Sequence, residues 1–95
     1  MLIHIVCFKY KADVDDHARQ DHRRRLKELA GLEGVVELTV GVDVVRSPRS
    51  YDTGVMARFR DRAALEAYQT NPRHVPVVQH GVGLCDSIVS VDFEG

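Results

Sequence analysis

The sequence lacks several features that would each point to a common class of protein. It has no tryptophan, two cysteines among 95 residues, and a formal net charge of −1. So small a charge gives no electrostatic reason to expect binding to nucleic acid or to an anionic membrane. Two cysteines are too few for a disulfide framework. Cys7 and Cys85 lie in apolar surroundings, so we expect reduced, buried thiols in a cytoplasmic protein.

Catalytic motifs and long apolar runs are also missing. The chain contains no CxxC, HExxH, GxGxxG, P-loop or GxSxG motif, which removes the commonest nucleotide, zinc-hydrolase and serine-hydrolase sites. No apolar run is long enough to span a membrane. Met1 leads into a strand-like run without the basic segment of a signal peptide. At this length we expect one domain over residues 1–95.

The charged segment near the N-terminus offers two weak binding hypotheses. The arginines at 23–25 are diluted by acidic neighbours, so we interpret them as a solvated helix face rather than a phosphate-binding patch. His17 and Asp21 share a helix face, while His22 is turned away from His17. Two ligands on an exposed helix make a weak metal site, and no flavin or haem motif is present. We therefore predict no metal and no cofactor.

The periodicity of the chain predicts four strands and two principal helices. Strands are indicated at 2–10, 35–45, 51–60 and 86–94, and helices at 15–32 and 62–69. Asp61 is a candidate N-cap for the second helix, and Asn71-Pro72 ends it. A short irregular helix is expected at 74–82, weakened by Gly81 and Gly83. The order β-α-β-β-α-β is that of the ferredoxin-like α+β fold with an antiparallel sheet.

The first strand is apolar on both of its faces, which predicts a partner. Two helices cover only one face of a four-stranded sheet, so a monomer would expose more apolar surface than soluble monomers usually do. We therefore expect a homodimer in which two sheets pack face to face as a dimeric α/β barrel. One face carries Ile3, Ile5 and Cys7, and the other carries Leu2, His4, Val6, Phe8 and Tyr10.

The segment from Ala64 to Val75 carries the residues with the clearest chemistry. Tyr68 and His74 lie on opposite sides of the turn at Pro72, and a phenol with a near-neutral imidazole is a usable acid–base pair. The structural alternative is that Tyr68 packs under the turn while His74 hydrogen-bonds the backbone that Pro72 leaves bare. His4 is either a pocket residue or a satisfied core histidine, since burying it without a partner is costly.

Other side chains on the same strands are candidates to line a cavity with these three residues. Aromatic and methionine side chains at alternating positions are more often plain core, so both interpretations stay open. The candidates are Val6, Phe8, Tyr10, Val40, Val42 and Met56.

These motifs, in this order, resemble the stress-responsive A/B barrel domain family of dimeric α/β-barrel proteins. The resemblance covers nearly the whole chain and rests on residues 4–11, 65–68, 71–75 and 86–93. It implies a ferredoxin-like fold and a homodimer with a cavity between the sheet and the helices. It does not fix a function, because many activities share one fold.

One relative that the resemblance brings in is the plant olivetolic acid cyclase, which closes a linear poly-β-ketone by an intramolecular aldol step. Its catalytic tyrosine and histidine fall on Tyr68 and His74, and its pocket histidine falls on His4. The family often has a histidine before the proline, where this chain has Asn71. That exchange removes a titrating group, and we place Asn71 among the expected substrate-binding residues.

Three functions are consistent with these expectations. The first is a cofactor-independent cyclase or similar lyase acting on a small apolar or polyketide-like substrate, with Tyr68 and His74 transferring protons and His4 orienting a carbonyl. The second is a non-catalytic, stress-associated structural or ligand-binding dimer. The third is a cofactor-free monooxygenase of the antibiotic-biosynthesis type, which uses a similar dimeric barrel and needs a substrate that itself activates oxygen.

Overall fold

The strands and helices follow one another in the predicted order, with one additional 3₁₀ turn. A computed structural model describes residues 1–95. The four strands form one antiparallel sheet in the order β2-β3-β1-β4, so the expected ferredoxin-like α+β fold is confirmed. The elements are β1 (Leu2–Tyr10), α1 (Asp16–Glu28), a 3₁₀ turn (Leu29–Gly31), β2 (Val35–Val42), β3 (Thr53–Phe59), α2 (Arg62–Gln69), α3 (Val75–Leu84) and β4 (Cys85–Glu94).

Aspartates set the starts of the first two helices. Asp15 accepts a hydrogen bond from the backbone N–H of Ala18 at 2.8 Å, and Asp61 accepts one from Ala64 at 2.9 Å. These caps satisfy N–H groups that the first helical turn leaves without partners, and the expected cap at Asp61 is confirmed. Beyond the 3₁₀ turn, Gly34 has a φ of +90°, which a glycine adopts without steric penalty.

Helix α3 is longer and more regular than the sequence predicted. It is a ten-residue helix with Pro76 in its first turn, where the missing N–H removes no intrahelical hydrogen bond. Gly81 packs directly on the ring of His22 in α1, because a Cβ built at Gly81 would lie 3.0 Å from His22 Nε2. This glycine therefore permits the close approach of α3 to α1, a role that its helix propensity does not reveal.

Strand β2 is shorter than the alternation of valines predicted. It ends at Val42, and the following loop turns at Arg46, which has a φ of 54°. Asp43 accepts a hydrogen bond from the Arg46 backbone N–H at 2.7 Å, and Asp52 accepts one from the Arg46 guanidinium at 2.8 Å. These bonds hold residues 43–52 as a loop, which leaves Val44 88% exposed.

One face of the sheet is covered by the helices and the other is open. The covered face packs Phe59, Ala57 and Val55 of β3 against Leu65 and the rest of the core. Pairing of β1 with β3 and β4 places an apolar set on the open face, where the β4 members are 44–54% exposed. This set is Ile3, Ile5, Cys7, Met56, Val89, Val91 and Phe93. None of the helices is both long and apolar enough to cross a membrane.

Candidate functional site

A cavity of about 200 Å³ lies between the covered face of the sheet and the three helices. Its walls are mostly apolar, and its titratable side chains are His4 of β1, Tyr68 of α2, and His74 just before α3. Such a cavity, apolar with a few polar groups, is typical of a small-molecule site. The lining residues are His4, Val6, Phe8, Leu26, Leu29, Val55, Tyr68, Gln69, His74, Val77, Val78, Ile88 and Ser90.

His4 is oriented by a carboxylate on the neighbouring strand. The register of β1 and β4 places Asp92 opposite His4 on the covered face, and His4 Nδ1 hydrogen-bonds Asp92 Oδ1. Because a carboxylate can only accept, we assign the proton of the neutral ring to Nδ1, which leaves a lone pair on Nε2. His4 is 8% exposed. It is thus a buried imidazole whose ring orientation the Asp92 carboxylate fixes.

Tyr68 and His74 are adjacent, but they do not hydrogen-bond each other. Their ring centroids are 4.2 Å apart with a tilt of 36°. His74 Nδ1 donates to the backbone carbonyl of Gln69 at 3.2 Å, so its Nε2 also keeps a lone pair. The Tyr68 ring is 2% exposed and also lies 6.3 Å from the His4 ring, centroid to centroid.

Burial decides the protonation states of Tyr68 and His74. Desolvation lowers the pKa of His74; the hydrogen bond to Gln69 opposes this shift, and the nearby His4 adds to it. His74 is therefore neutral at pH 7. Desolvation also raises the pKa of Tyr68 to about 12, so its hydroxyl stays protonated. The cavity then offers two imidazole acceptors and one phenol donor, which can take a proton from a ligand and hydrogen-bond a developing oxyanion.

The structure brings five of the predicted site residues together around one cavity. His4, Val6 and Phe8 enter from β1, and Tyr68 and His74 enter from the helix side. The sequence therefore identified the strand and the turn that face the cavity, although the roles of these residues are not decided by position alone.

Three other predicted residues do not line the cavity. Met56 pairs with Ile5 and therefore lies on the open face of the sheet. Tyr10 is on the covered face but beyond Phe8, where its hydroxyl hydrogen-bonds His22 Nδ1 at 2.7 Å. Asn71 uses its side-chain oxygen inside the turn, accepting the Arg73 backbone N–H at 2.8 Å.

The remaining valine candidates also lie outside the cavity. Val40 packs against the hydrophobic core, and Val42, at the end of β2, is 56% exposed. Sequence reasoning missed Asp92, Gln69 and Ser90. Asp92 could be found only from the register of β1 and β4, because the carboxylate and His4 are 88 positions apart.

A second tyrosine–histidine cluster lies on the same covered face, between β1, α1 and α3. His22 is fully buried, and its Nδ1 contacts the Tyr10 hydroxyl, which in turn contacts Thr53 Oγ1 at 2.9 Å. His22 is thus a core residue and not part of the exposed face of α1. Burial, with the charges of His80 and Arg23, lowers the pKa of His22 to about 4.

The second cluster leaves two imidazole nitrogens without partners. His22 Nε2 and His80 Nδ1 are both buried and make no hydrogen bond, although the two rings lie 5.7 Å apart. No group of three or more histidine, cysteine, aspartate or glutamate side chains is placed to hold a metal ion.

Comparison with solved structures shows the same fold over the whole chain. A dimeric ferredoxin-like protein of unknown function from Jannaschia sp. CCS1 is 29% identical, with a TM-score of 0.83 over 99% of this chain and 98% of that chain. A Dabb-family protein with a ferredoxin-like fold from Mesorhizobium loti is 24% identical, with a TM-score of 0.86 over 99% of this chain and 95% of that chain.

A plant enzyme has the same fold at lower identity. The hydroxynitrile lyase from Passiflora edulis is 17% identical, with a TM-score of 0.86 over 97% of this chain and 90% of that chain. Among curated proteins, none matches the sequence. Residues 2–95 match the stress responsive A/B barrel domain, and the chain therefore belongs to that family.

Proposed function

We propose that the protein is a cofactor-independent lyase or cyclase that breaks or makes a carbon–carbon bond beside a carbonyl group by an aldol-type step. The observation that carries this proposal is the convergence of two imidazoles with free Nε2 atoms and one phenol on a single apolar cavity. Aldol chemistry needs a base for one proton and a donor for one oxyanion, and this set supplies both.

In the cleavage direction, His4 Nε2 takes the proton of the substrate β-hydroxyl group. The bond between the α and β carbons then breaks, the β carbon becomes a carbonyl, and the electron pair forms an enolate whose oxygen accepts a hydrogen bond from Tyr68. The His4 imidazolium returns the proton to the enolate carbon. His74 stacks on Tyr68 and offers a second acceptor. In this scheme His4 transfers the proton, a role predicted from the sequence for His74. The reason is that only His4 has a carboxylate partner.

Charge and size narrow the substrate to a small neutral compound. No lysine or arginine lines the cavity, so a buried carboxylate or phosphate would have no counterion there. The volume of about 200 Å³ lies below the range of about 300–1,000 Å³ of drug-sized ligand sites. A full polyketide chain exceeds it, which favours a short hydroxyketone or diketone with an apolar substituent.

One relative supports a lyase of this general class. The Passiflora edulis protein with the same fold is a hydroxynitrile lyase, and lyases of that name act on carbon–carbon bonds beside an oxygen-bearing carbon. At 17% identity this supports the class of reaction and says nothing about the substrate here.

The test is proton NMR in D2O with 4-hydroxy-4-methylpentan-2-one, which a retro-aldol step splits into two molecules of acetone. We expect the protein to accelerate exchange of the protons beside the carbonyl, cleavage, or both, relative to buffer. Binding of the compound without exchange or cleavage would instead support a ligand-binding dimer. No binding, exchange or cleavage would contradict the proposed site.

We further propose that the protein works as a homodimer that buries the open face of the sheet. The side chains at Val89, Val91 and Phe93 are each about half exposed, and they continue across Ile5 and Met56 as one apolar area. A monomer would leave this area in water, and two solved relatives are described as dimeric.

Light scattering after size exclusion tests the dimer. We expect twice the chain mass of 10.7 kDa. Val91→Lys, at the centre of the open face, should give a folded monomer, whereas Val44→Lys in the exposed loop should leave the dimer intact. A monomeric wild-type protein would contradict the proposal.

A further inference from the structure

A groove adjoins the cavity at the end of the sheet where β1 begins and β4 ends. Its volume is about 490 Å³, larger than that of the cavity itself. Leu2 and Leu65 form an apolar wall, and Phe93 reaches the groove from the strand edge. The rest of the lining is polar and includes the charged side chains of Arg62, Glu66, Asp92 and Glu94. The groove therefore has the room for a short alkyl substituent, which would lie against the apolar wall of Leu2 and Leu65.

The cavity and the groove meet at a small number of residues. Gln69, the last residue of α2, is the one residue that lines both spaces. The pair formed by His4 and Asp92 spans the same boundary, since His4 lines the cavity and Asp92 lines the groove. The reacting groups thus lie at the end of the cavity that borders the groove.

The backbone and the side chain of Gln69 have separate roles in this boundary. Its backbone carbonyl holds the His74 ring, which fixes the position of the residue. Its side chain is exposed and makes no hydrogen bond within the chain. The side chain can therefore be truncated without removing the contact that orients His74.

We propose that Gln69 is the specificity-determining residue of the site, and that its side chain closes the cavity toward the groove and so limits ligand length. The inference rests on the proposed small-molecule site, but not on the reaction. A ligand whose carbonyl group contacts Tyr68 has one substituent in the apolar cavity. Its other substituent points at Gln69, where only a short group fits.

The experiment compares two neutral, symmetrical diketones by isothermal titration calorimetry. Pentane-2,4-dione carries a methyl group on each carbonyl and nonane-4,6-dione a propyl group, so the orientation of the ligand does not affect the comparison. The readout is the ratio of the two dissociation constants within each protein. Wild type should bind the long diketone more weakly than the short one.

Gln69→Ala should reverse this preference, because two additional methylenes on one side can enter the groove. A fully buried methylene contributes roughly a factor of four in affinity, and the groove is apolar on one side only, so the ratio should change severalfold. Gln69→Leu keeps the bulk and should keep the wild-type ratio. Gln79→Ala, an exposed glutamine of α3 that lines neither space, should also keep it.

Two outcomes would contradict this inference and are distinguishable. If the ratio of the two dissociation constants is the same in wild type and in Gln69→Ala, Gln69 does not limit ligand length, although the proposed small-molecule site stands. If neither diketone binds wild type or any variant, the proposed small-molecule site fails, and the inference fails with it.

Discussion

Two clusters on the covered face of the sheet have the same composition and opposite environments. Each consists of one tyrosine and two histidines. In the first, His4, Tyr68 and His74 border an open cavity. In the second, Tyr10, His22 and His80 are packed together between β1, α1 and α3, and His22 is fully buried. Residue type alone therefore does not identify a reactive site on this sheet.

The hydrogen bonds explain how the two clusters differ. In the open cluster, each histidine uses Nδ1 for a structural contact, and its Nε2 makes no hydrogen bond within the protein. In the closed cluster, the Tyr10 hydroxyl is occupied by His22 and Thr53, and the two nitrogens without partners are buried, with Gly81 packed against His22 Nε2. The oriented atoms of the open cluster are accessible to a ligand and can take part in a reaction, whereas the closed cluster contributes to packing and stability.

Removing the hydroxyl group from each tyrosine should give the largest contrast. We expect Tyr68→Phe to lower the rate of proton exchange or cleavage by about 100-fold or more, because it removes the donor for the oxyanion. Its unfolding free energy should change by less than about 0.5 kcal/mol, since the hydroxyl has no protein partner. NMR rates and urea unfolding measure the two effects.

Tyr10→Phe is the matched control and should behave in the opposite way. It leaves His22 Nδ1 without a partner, while Thr53 Oγ1 keeps its hydrogen bond from Arg23 Nε. The loss should cost about 1–3 kcal/mol of stability while the rate per folded molecule is kept. If both variants lose the same amount of rate, accessibility to a ligand is not what distinguishes the two clusters.

Titration of His22 should make the closed cluster a source of pH-dependent stability. Its pKa falls from about 6.5 to about 4 on folding. Between these values the unfolded chain binds a proton that the folded chain does not, so stability is lost as the pH falls from about 6.5 toward 4. The difference corresponds to about 3 kcal/mol.

Urea unfolding of wild type and His22→Leu at several pH values measures this contribution. The variant should lose about 3 kcal/mol less than wild type between pH 7 and pH 4. His17→Leu, at an exposed position of the same helix, should follow the wild-type profile. Parallel profiles for wild type and His22→Leu would show that His22 is not the buried neutral group described here.

Asp92 should affect the open cluster through His4, with a smaller effect than the loss of Tyr68. Asp92→Asn keeps the shape of the side chain but removes the charge that stabilises the His4 imidazolium, so we expect kcat to fall about tenfold with little change in KM. Glu94→Gln, two residues along the same face of β4, is the charge-matched control and should leave kcat unchanged. If both substitutions lower kcat equally, the effect comes from the loss of negative charge on β4 in general, and not from the specific contact between Asp92 and His4.

The order of strands and helices could be predicted because each element carries its own local pattern. β1 is apolar on both faces. Asp61 caps the start of α2, and Pro72 follows its end. These boundaries are therefore set by residues that are close in the sequence. The predicted C-terminal end of β2 was wrong. Contacts of Asp43 and Asp52 with Arg46 outweigh the strand preference of the two valines at 44 and 45. The contact with Asp43 spans three residues and the contact with Asp52 spans six. Aspartate is a turn-favouring residue, so the turn had a local signal that the alternation of valines obscured.

The site was predictable in part for the same reason. Strand parity places His4, Val6 and Phe8 on one face, and the turn places Tyr68 and His74 near each other. Parity cannot tell which face of the sheet the helices cover. Met56 was therefore predicted to line the cavity, whereas its pairing with Ile5 places it on the open face. The partner of His4 depends on a register between strands at opposite ends of the chain.

The smallest predicted effect concerns the two glycines of α3 and tests how tightly the closed cluster is packed. A Cβ at Gly83 meets nothing within 4 Å, so Gly83→Ala should stabilise the protein by about 0.5–1 kcal/mol through helix propensity. At Gly81 the same Cβ would lie 3.0 Å from His22 Nε2 and 3.6 Å from the Phe8 ring. The His22 ring is fully enclosed and held by Tyr10, so it cannot yield, and Gly81→Ala should destabilise by about 1 kcal/mol or more. Urea unfolding of both variants measures the difference. If both substitutions stabilise equally, α3 is free to move away from α1, and the second cluster is less closed than its buried nitrogens imply.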